Sequence, residues 1–341
     1  MKITTVGLDL AKNVFHIIGL NAAGTVLVKK KLSRRKMKPY FANLSACVVA
    51  MEACSSAHYW GRELEKLGHR IKLIPPRFVK PYLQGNKNDY NDALAIAEAQ
   101  SRPKLRFVNI KTQEQQDEQA LHRLKAGVTS QRTQVCNQLR GLLAEYGLIV
   151  PTGITKLRAA IPEILEDGEN GLSGCFRELL YQGYQQLLEL DQHIKAYDKQ
   201  LQQRVKANEA AQRLMSIPGF GPVVSSVFLS AIGDGRAFSR GRDVSAYIGL
   251  VPRQHSSGDK QVLLGITKRG NKYLRALLVH GARSVVKNAD KKDDKLSCWV
   301  SDLVKRRGKN KAIVALANKL ARIGWSVLTS GGVYQVNRVG V

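Results

Sequence analysis

The sequence predicts a mixed α/β domain at the N-terminus, then a long helical region and a mostly α-helical C-terminal domain. The α/β prediction rests on short apolar, β-branched runs that alternate with amphipathic segments over residues 1–110. The helical prediction rests on two stretches within residues 111–210 that are rich in Gln, Leu, Glu, Lys and Arg. A new unit is expected over residues 211–341, because a Gly- and Pro-rich turn at 217–222 separates two apolar segments.

The N-terminal strands are predicted from continuous apolar runs bounded by polar turns. The first three should pair antiparallel, since tight turns connect them, whereas helices separate the later ones. The predicted strands span residues 3–12, 14–20, 24–32, 47–53 and 70–74. Three antiparallel strands followed by strands separated by helices are typical of a ribonuclease-H-like (RNase H-like) α/β domain.

Four carboxylates in this domain are predicted to converge. Asp9 and Glu52 end neighbouring apolar strands, where a lone carboxylate is costly. Asp89 and Asp92 are three residues apart at the start of a predicted helix, so they share one face. Taken alone, this pair would be a helix cap and a favourable first-turn acid. Four clustered acids repel one another unless a divalent cation lies among them, and oxygen ligands suit Mg²⁺ or Mn²⁺. Two such ions about 4 Å apart support phosphodiester chemistry.

The charge of the chain predicts a polyanionic partner. Lysine and arginine number 54 against 27 acids, a formal net charge of +27. Binding to DNA or RNA should therefore weaken steeply as salt is added. No apolar run reaches the roughly 18–20 residues that span a bilayer, and the first residues lack the features of a secretory signal. We expect a cytoplasmic protein with no membrane contact.

Cysteine usage agrees with a reducing compartment. The five cysteines are scattered and form no CxxC pair or Cys/His ligand spacing. We expect buried thiols and no structural zinc.

The central region is predicted to form a helical hairpin or coiled-coil arm, which usually mediates oligomerisation. Its two long stretches cover residues 114–146 and 174–207. The apolar stripe of the first stretch comprises Leu121, Leu124, Val128, Val135, Leu139 and Leu142.

Two basic or glycine-rich turns in the C-terminal region are candidate phosphate contacts. The turn at 217–222 has the form of a helix-hairpin-helix, in which Gly219 and Gly221 would let backbone N–H groups approach a DNA phosphate. An ordinary tight helix connection is the alternative. Lys268 and Arg269 lie in a basic turn that should cap the following helix.

The polar segment 253–260 is predicted as an exposed loop and has two interpretations. A serine beside glycine is common in solvated turns, and spacing alone favours that interpretation. The functional alternative is a nucleophilic serine near Arg253, His255 and Lys260, whose cations would stabilise an anionic transition state.

Six segments in order resemble one known family. The segments are residues 7–12, 51–53, 87–93, 217–222, 249–258 and 266–271. Over nearly its whole length the chain resembles the DEDD transposases of bacterial insertion sequences, the family numbered one-ten with its eleven-eleven subgroup.

This resemblance implies the roles of particular residues. The family's RuvC-like acids fall on Asp9, Glu52, Asp89 and Asp92, and its catalytic serine falls on Ser257. The adjacent Ser256 is the less favoured occupant of that position. The residues expected to contact nucleic acid are Lys12, Lys87, Gly219, Gly221, Arg253, Lys260, Lys268 and Arg269.

The resemblance also implies partners that composition and spacing do not predict. It implies a nucleoid-associated recombinase guided by a noncoding bridge RNA that pairs with donor and target DNA. It further implies a tetramer, in which the acids of one subunit face the serine domain of another and hold Mg²⁺ at the scissile phosphate. The serine would form a transient phosphoserine link.

Two alternatives remain open from the residues. The first is a junction-resolving nuclease with the same four acids and water as nucleophile, which should tolerate Ser257→Ala. The second is a non-catalytic nucleic-acid-binding protein, although such a protein would not need all four acids.

Overall fold

The computed structural model describes residues 2–84, 88–103, 105–258 and 260–336. The chain forms two compact units, Met1–Glu114 and Gln115–Val341. The first is mixed α/β around one sheet and the second is mostly helical, as the sequence predicts. The finer division at residues 110 and 210 stays a prediction.

The first unit is built on a five-stranded sheet in the order β3-β2-β1-β4-β5. Strand β1 pairs antiparallel with β2 and parallel with β4, so the first strand of the chain lies at the centre of the sheet. The strands are β1 (Thr5–Leu10), β2 (Val14–Leu20), β3 (Val26–Ser33), β4 (Val48–Glu52) and β5 (Arg70–Ile74). The helices are α1 (Arg34–Ala42), α2 (Ala57–Lys66), α3 (Pro76–Val79) and α4 (Asp89–Ala99).

The two faces of this sheet are covered differently. Alternate residues of the strands, such as Val6 and Leu8, pack with Trp60 in a core under α1 and α2. Helix α4 covers the opposite face, where Gly7 of β1 lies. A Cβ atom on Gly7 would fall 2.0 Å from the carbonyl oxygen of Ala93, so only glycine allows α4 to approach β1 this closely.

The second unit contains long helices, a compact helical core and one β-hairpin. Its helices are α5 (Gln113–Glu145), α6 (Ile154–Glu166), α7 (Gly174–Lys206), α8 (Glu209–Met215), α9 (Pro222–Ile232), α10 (Gly241–Ile248), α11 (Lys272–Lys287), α12 (Lys295–Arg307) and α13 (Lys309–Ser330). The hairpin consists of β6 (Pro252–Ser257) and β7 (Lys260–Ile266).

The long helices α5 and α7 pack together with α6 between their ends. Leu157 and Ile161 of α6 are fully buried in the same cluster as residues of α5 and α7. The predicted stripe on α5 is wrong at two positions, since Leu124 and Leu142 are exposed and Leu143 is buried instead. The buried row advances by 3.6 residues per turn and therefore drifts from one apolar neighbour to the next.

The cysteines are all free, but the expectation that they are buried holds only in part. Cys47 and Cys136 are buried, whereas Cys175 and Cys298 are exposed and Cys54 is half-buried. Both exposed thiols lie near helix starts, where their small side chains need no apolar cover. Within the described part of the chain, no helix is long and apolar enough to cross a membrane.

Candidate active site

The α4 face of the sheet carries the first group of predicted site residues. Side chains alternate along a strand, so Asp9 shares the face of Gly7. The parallel register pairs Gly7 with Ala50, which places Glu52 on the same face near Asp9. Both strands thus deliver a carboxylate to one end of the sheet.

Helix α4 supplies the other two carboxylates. Asn88 caps the helix by accepting a hydrogen bond of 2.9 Å from the Tyr90 N–H. Asp89 and Asp92 occupy the first helical turn. Since Ala93 is pressed against Gly7, the preceding turn lies over Asp9.

The electrostatics show that the four acids interact. Burial, together with the charges of Asp92, Asp89 and Glu52, raises the pKa of Asp9 to about 6, against one backbone hydrogen bond that lowers it. The pKa of Glu52 is also raised, first by burial and then by Asp92, while the Lys80 ammonium opposes the rise. A cation among these groups would relieve the repulsion, and the oxygen donors suit Mg²⁺ or Mn²⁺.

A histidine joins this cluster, and the sequence analysis missed it. His16 is the cross-strand partner of Asp9 and is 8% exposed. Ligand atoms of Asp9, His16 and Asp89 all lie within 4.8 Å of one another. A usable signal was the short turn between β1 and β2, because it pairs Leu10 with Phe15 and hence Asp9 with His16.

Ser257 lies in the second unit at the end of the β6–β7 hairpin. The predicted loop 253–260 is therefore wrong in form, because most of it is paired strand. All of β6 is exposed. Neither face of the strand carries the apolar residues whose period-two alternation would have revealed it in the sequence. Ser257 is paired with Lys260, and Gly258 adopts a left-handed φ of 54°, as a tight hairpin end requires.

The two adjacent serines differ in their surroundings. Gln254 donates a hydrogen bond of 2.9 Å from its side-chain nitrogen to Ser256 Oγ. Ser257 shares the other face of β6 with His255, since alternate residues of a strand point the same way.

The basic turn at Lys268 and Arg269 is held against the end of α10. Gly249 ends that helix with a φ of 80°, and a Cβ there would fall 2.2 Å from the Arg269 carbonyl oxygen. Lys268 itself has a φ of 54°. Both basic side chains are exposed immediately before α11, whose cap Asn271 accepts hydrogen bonds from two backbone N–H groups.

The remaining predicted nucleic-acid contacts are spread over both units. Lys12 is exposed in the β1–β2 turn, and Lys87 lies outside the described residues. Gly219 connects α8 to α9 with a φ of 84°, and a Cβ there would fall 2.8 Å from the Gly281 carbonyl oxygen. Gly219 thus has a packing reason within the helical core, while Gly221 caps α9 in open space.

A cavity of about 1090 Å³ opens beside the hairpin, and basic residues line part of it. Leu263 and Leu264 of β7 line one side, and α12 and α13 line the other. The Lys319 ammonium lies 4.3 Å from the centre of the Trp299 ring. Among the described lining residues are three cations, Lys311, Lys319 and Arg322, and no carboxylate.

Comparison with known proteins defines the class of this enzyme as a DNA transposase. A transposase family model of the IS110 DEDD group matches residues 6–148. A second model, described as the transposase IS116/IS110/IS902 family, matches residues 211–297.

Relatives extend the match over almost the whole chain. A probable family 20 transposase of Pseudomonas aeruginosa is 44% identical over 98% of this chain and 99% of that protein. The transposase for insertion sequence element IS1111A of Coxiella burnetii is 45% identical over 98% of this chain and 92% of that protein. The transposase for IS1328 of Yersinia enterocolitica is 40% identical, over 98% and 99%. The chain belongs to the IS110/IS116/IS902 family of insertion-sequence transposases.

Proposed function

We propose that this transposase cuts and rejoins DNA with Ser257 as nucleophile, a divalent cation held by the four acids, and a noncoding bridge RNA as guide. Mg²⁺ is the proposed ion, with Mn²⁺ as its substitute. The observation that carries the proposal is the mutual repulsion of Asp9, Glu52, Asp89 and Asp92 on one sheet face. A fold that gathers four acids in this way is best explained by a cation from solution.

The finer fold assignments belong to the same proposal. In the sheet order β3-β2-β1-β4-β5, strands β3, β2 and β1 pair antiparallel, whereas β1, β4 and β5 pair parallel. This arrangement supports an RNase H-like, RuvC-like domain. The glycine-containing turn between α8 and α9 supports a helix-hairpin-helix that contacts DNA. The long α5 and α7 support a coiled-coil arm that assembles a homotetramer.

The proposed chemistry is two successive transfers at phosphorus. The Ser257 hydroxyl gives up its proton as its oxygen attacks the scissile phosphate, a P–O bond to deoxyribose breaks, and the released sugar oxygen takes up a proton. A sugar hydroxyl of the second strand then attacks the phosphoserine, the P–O bond to serine breaks, and the serine oxygen regains a proton. The bond energy is conserved because each step exchanges one phosphodiester bond for another. The bound cation would neutralise charge on the phosphate and stabilise the leaving oxygen.

The hairpin geometry supports Ser257 over Ser256 as the nucleophile. Lys260 is the cross-strand partner of Ser257, so both side chains leave the hairpin on one face, where the lysine could balance charge on the phosphate. The hydroxyl of Ser256 instead accepts a hydrogen bond from Gln254.

The serine assignment is tested by comparing Ser257→Ala with Ser256→Ala in a strand-exchange assay. We expect Ser257→Ala to lower strand exchange at least about a thousandfold, because no other group would form the covalent link. Ser256→Ala should stay within a few-fold of the unchanged protein. Full cleavage by Ser257→Ala would indicate a junction nuclease that uses water.

The guide-RNA proposal is tested by RNA co-purification and sequencing, with the protein expressed beside its native flanking DNA. A net charge of +27 supports a polyanionic partner but does not select RNA over DNA. We expect one discrete noncoding species encoded next to the gene. Random cellular RNA that salt removes would overturn the guide.

A further inference from the structure

His16 lies beside the four acids, but the proposed chemistry gives this side chain no role. It lies on β2, 8% exposed, on the sheet face that α4 covers. Its Nδ1 atom is 3.4 Å from Asp89 Oδ2. A nine-tenths buried imidazole is thus aimed into the cluster of acids.

The ring of His16 is held in this orientation by its neighbours. Tyr90 packs edge-on against it with ring centres 4.8 Å apart. The Lys29 ammonium lies 4.5 Å from the centre of the Tyr90 ring. A fixed ring loses little freedom when it binds a ligand.

Another buried histidine of the same unit shows what a purely structural imidazole looks like. His69 is 3% exposed, and its Nε2 lies 2.9 Å from the Phe41 carbonyl oxygen. Its Nδ1 accepts a hydrogen bond from the Cys47 N–H. Both ring nitrogens of His69 are therefore satisfied by groups of the fold, whereas Nδ1 of His16 faces a carboxylate of the proposed cation site.

The spacing of the donor atoms fits a single ion. Ligand atoms of Asp9, His16 and Asp89 lie within 4.8 Å of one another. Two ligands on opposite sides of an ion at roughly 2.1–2.2 Å would be about 4.3 Å apart. Small side-chain movements are enough to bring all three onto one ion.

We propose that His16 is a nitrogen ligand in the cation site, with Asp9 and Asp89, and that it raises the affinity of this site for Mn²⁺ relative to its affinity for Mg²⁺. The inference rests on the proposed four-acid cation site. Mg²⁺ favours oxygen ligands and retains water, whereas first-row transition ions accept imidazole nitrogen readily. The remaining pair, Glu52 and Asp92, offers oxygen donors alone.

The decisive measurement is equilibrium binding of Mn²⁺ and of Mg²⁺ by calorimetry to the full chain and to His16→Ala. We expect His16→Ala to weaken Mn²⁺ binding at least about tenfold and Mg²⁺ binding less than about threefold. An equal loss for both ions would mean that His16 only orients Asp89, and an unchanged Mn²⁺ affinity would exclude a ligand. Either result overturns the inference.

The control variant Asp9→Asn separates this inference from the proposed function. If Asp9→Asn retains its affinity for both ions, the four-acid cation site itself is wrong. If Asp9→Asn loses both ions while His16→Ala keeps the Mn²⁺ to Mg²⁺ ratio, only the role of His16 is wrong.

A spectroscopic measurement on the unchanged protein guards against a variant that fails to fold. Pulsed electron paramagnetic resonance of bound Mn²⁺, with ¹⁵N-histidine in the protein, reports a directly bonded imidazole nitrogen. We expect that coupling in the unchanged chain and its loss in His16→Ala. A Mn²⁺ spectrum of the unchanged chain without nitrogen coupling overturns the inference.

Discussion

A buried carboxylate of the second unit and a half-buried carboxylate of the first, Asp191 and Asp9, are treated in opposite ways by the fold. In the second unit Asp191 is 7% exposed, and Arg132 and Arg158 each donate to it at 2.8 Å. In the first unit the charged groups that shift the pKa of Asp9 are all carboxylates. The arginines make Asp191 a structural tie between α5, α6 and α7. The acids beside Asp9 instead repel it, which is the environment expected of the proposed cation site.

Removing the arginine partners should have the largest effect on stability. In Arg132→Met with Arg158→Met, the Asp191 charge would stay buried without a cation, so we expect a loss of about 3–5 kcal/mol. Chemical unfolding followed by circular dichroism measures it. Adding Asp191→Leu to the pair should restore most of the loss.

The matched control is an exposed ion pair. Arg236 and Asp234 are 88% and 67% exposed, and Arg236→Ala should change stability by less than about 1 kcal/mol. Equal losses at both sites would show that burial does not distinguish the two kinds of carboxylate.

Gly7→Ala tests whether close helix packing places the acids. The new Cβ would lie 2.0 Å from the Ala93 oxygen, so α4 must shift, and we expect a loss of about 3 kcal/mol together with weaker cation binding. Hydrogen exchange of β1 and α4 peptides isolates the effect on the first unit. Gly127→Ala, in open space on α5, should instead stabilise by up to about 1 kcal/mol.

His122 shows a third way to bury an ionisable group, which is to keep it neutral. Burial, opposed by the charge of Glu118 and assisted by that of Lys125, lowers its pKa from 6.5 to about 4. Its Nε2 lies 2.8 Å from Ser226 Oγ, and Tyr273 packs nearby.

Stability should therefore fall by about 2 kcal/mol as the pH is lowered from 6.5 to 4, because only the unfolded chain binds the proton there. Above pH 6.5 this contribution is constant. His122→Gln should flatten the profile of the free energy of unfolding against pH, while His193→Gln, an exposed substitution on α7, should leave it unchanged. Identical profiles for the two variants would contradict the neutral His122.

The smallest expected effect has the opposite sign. Asp9→Asn should stabilise the cation-free protein by about 1 kcal/mol at pH 7, after allowance for solvent screening, because it relieves repulsion from the other acids. The same variant should lose strand exchange. Thermal melts without and with Mg²⁺ measure both changes. A destabilised Asp9→Asn would mean that the carboxylate contributes to the fold as Asp191 does.

Much of the first unit's fold and of the arrangement of its four acids could be predicted from the sequence. The β-branched runs that end at Asp9 and Glu52 define strands whose order brings both acids to one sheet end. The spacing of Asp89 and Asp92 defines one helix face. These are local patterns, and local patterns are what a sequence displays.

The parts that could not be predicted depend on pairing between distant elements. His16 joins the cluster through strand register, and its apolar neighbours suggested only a buried strand. The β6–β7 hairpin has no buried face to create an alternating pattern. Arg132 and Arg158 meet Asp191 across three helices, a contact that no spacing along the chain indicates.

The central position of β1 has a consequence for synthesis on the ribosome. The strand is made before the other four strands of its sheet, yet one of its neighbours is at residues 48–52 and its covering helix ends at residue 99. The acid at position 9 must therefore wait for some 80 further residues before Asp89 and Asp92 can join it. Contacts of such long sequence separation form late and slowly. A nascent chain that stops before residue 89 therefore lacks two of the four acids of the proposed cation site.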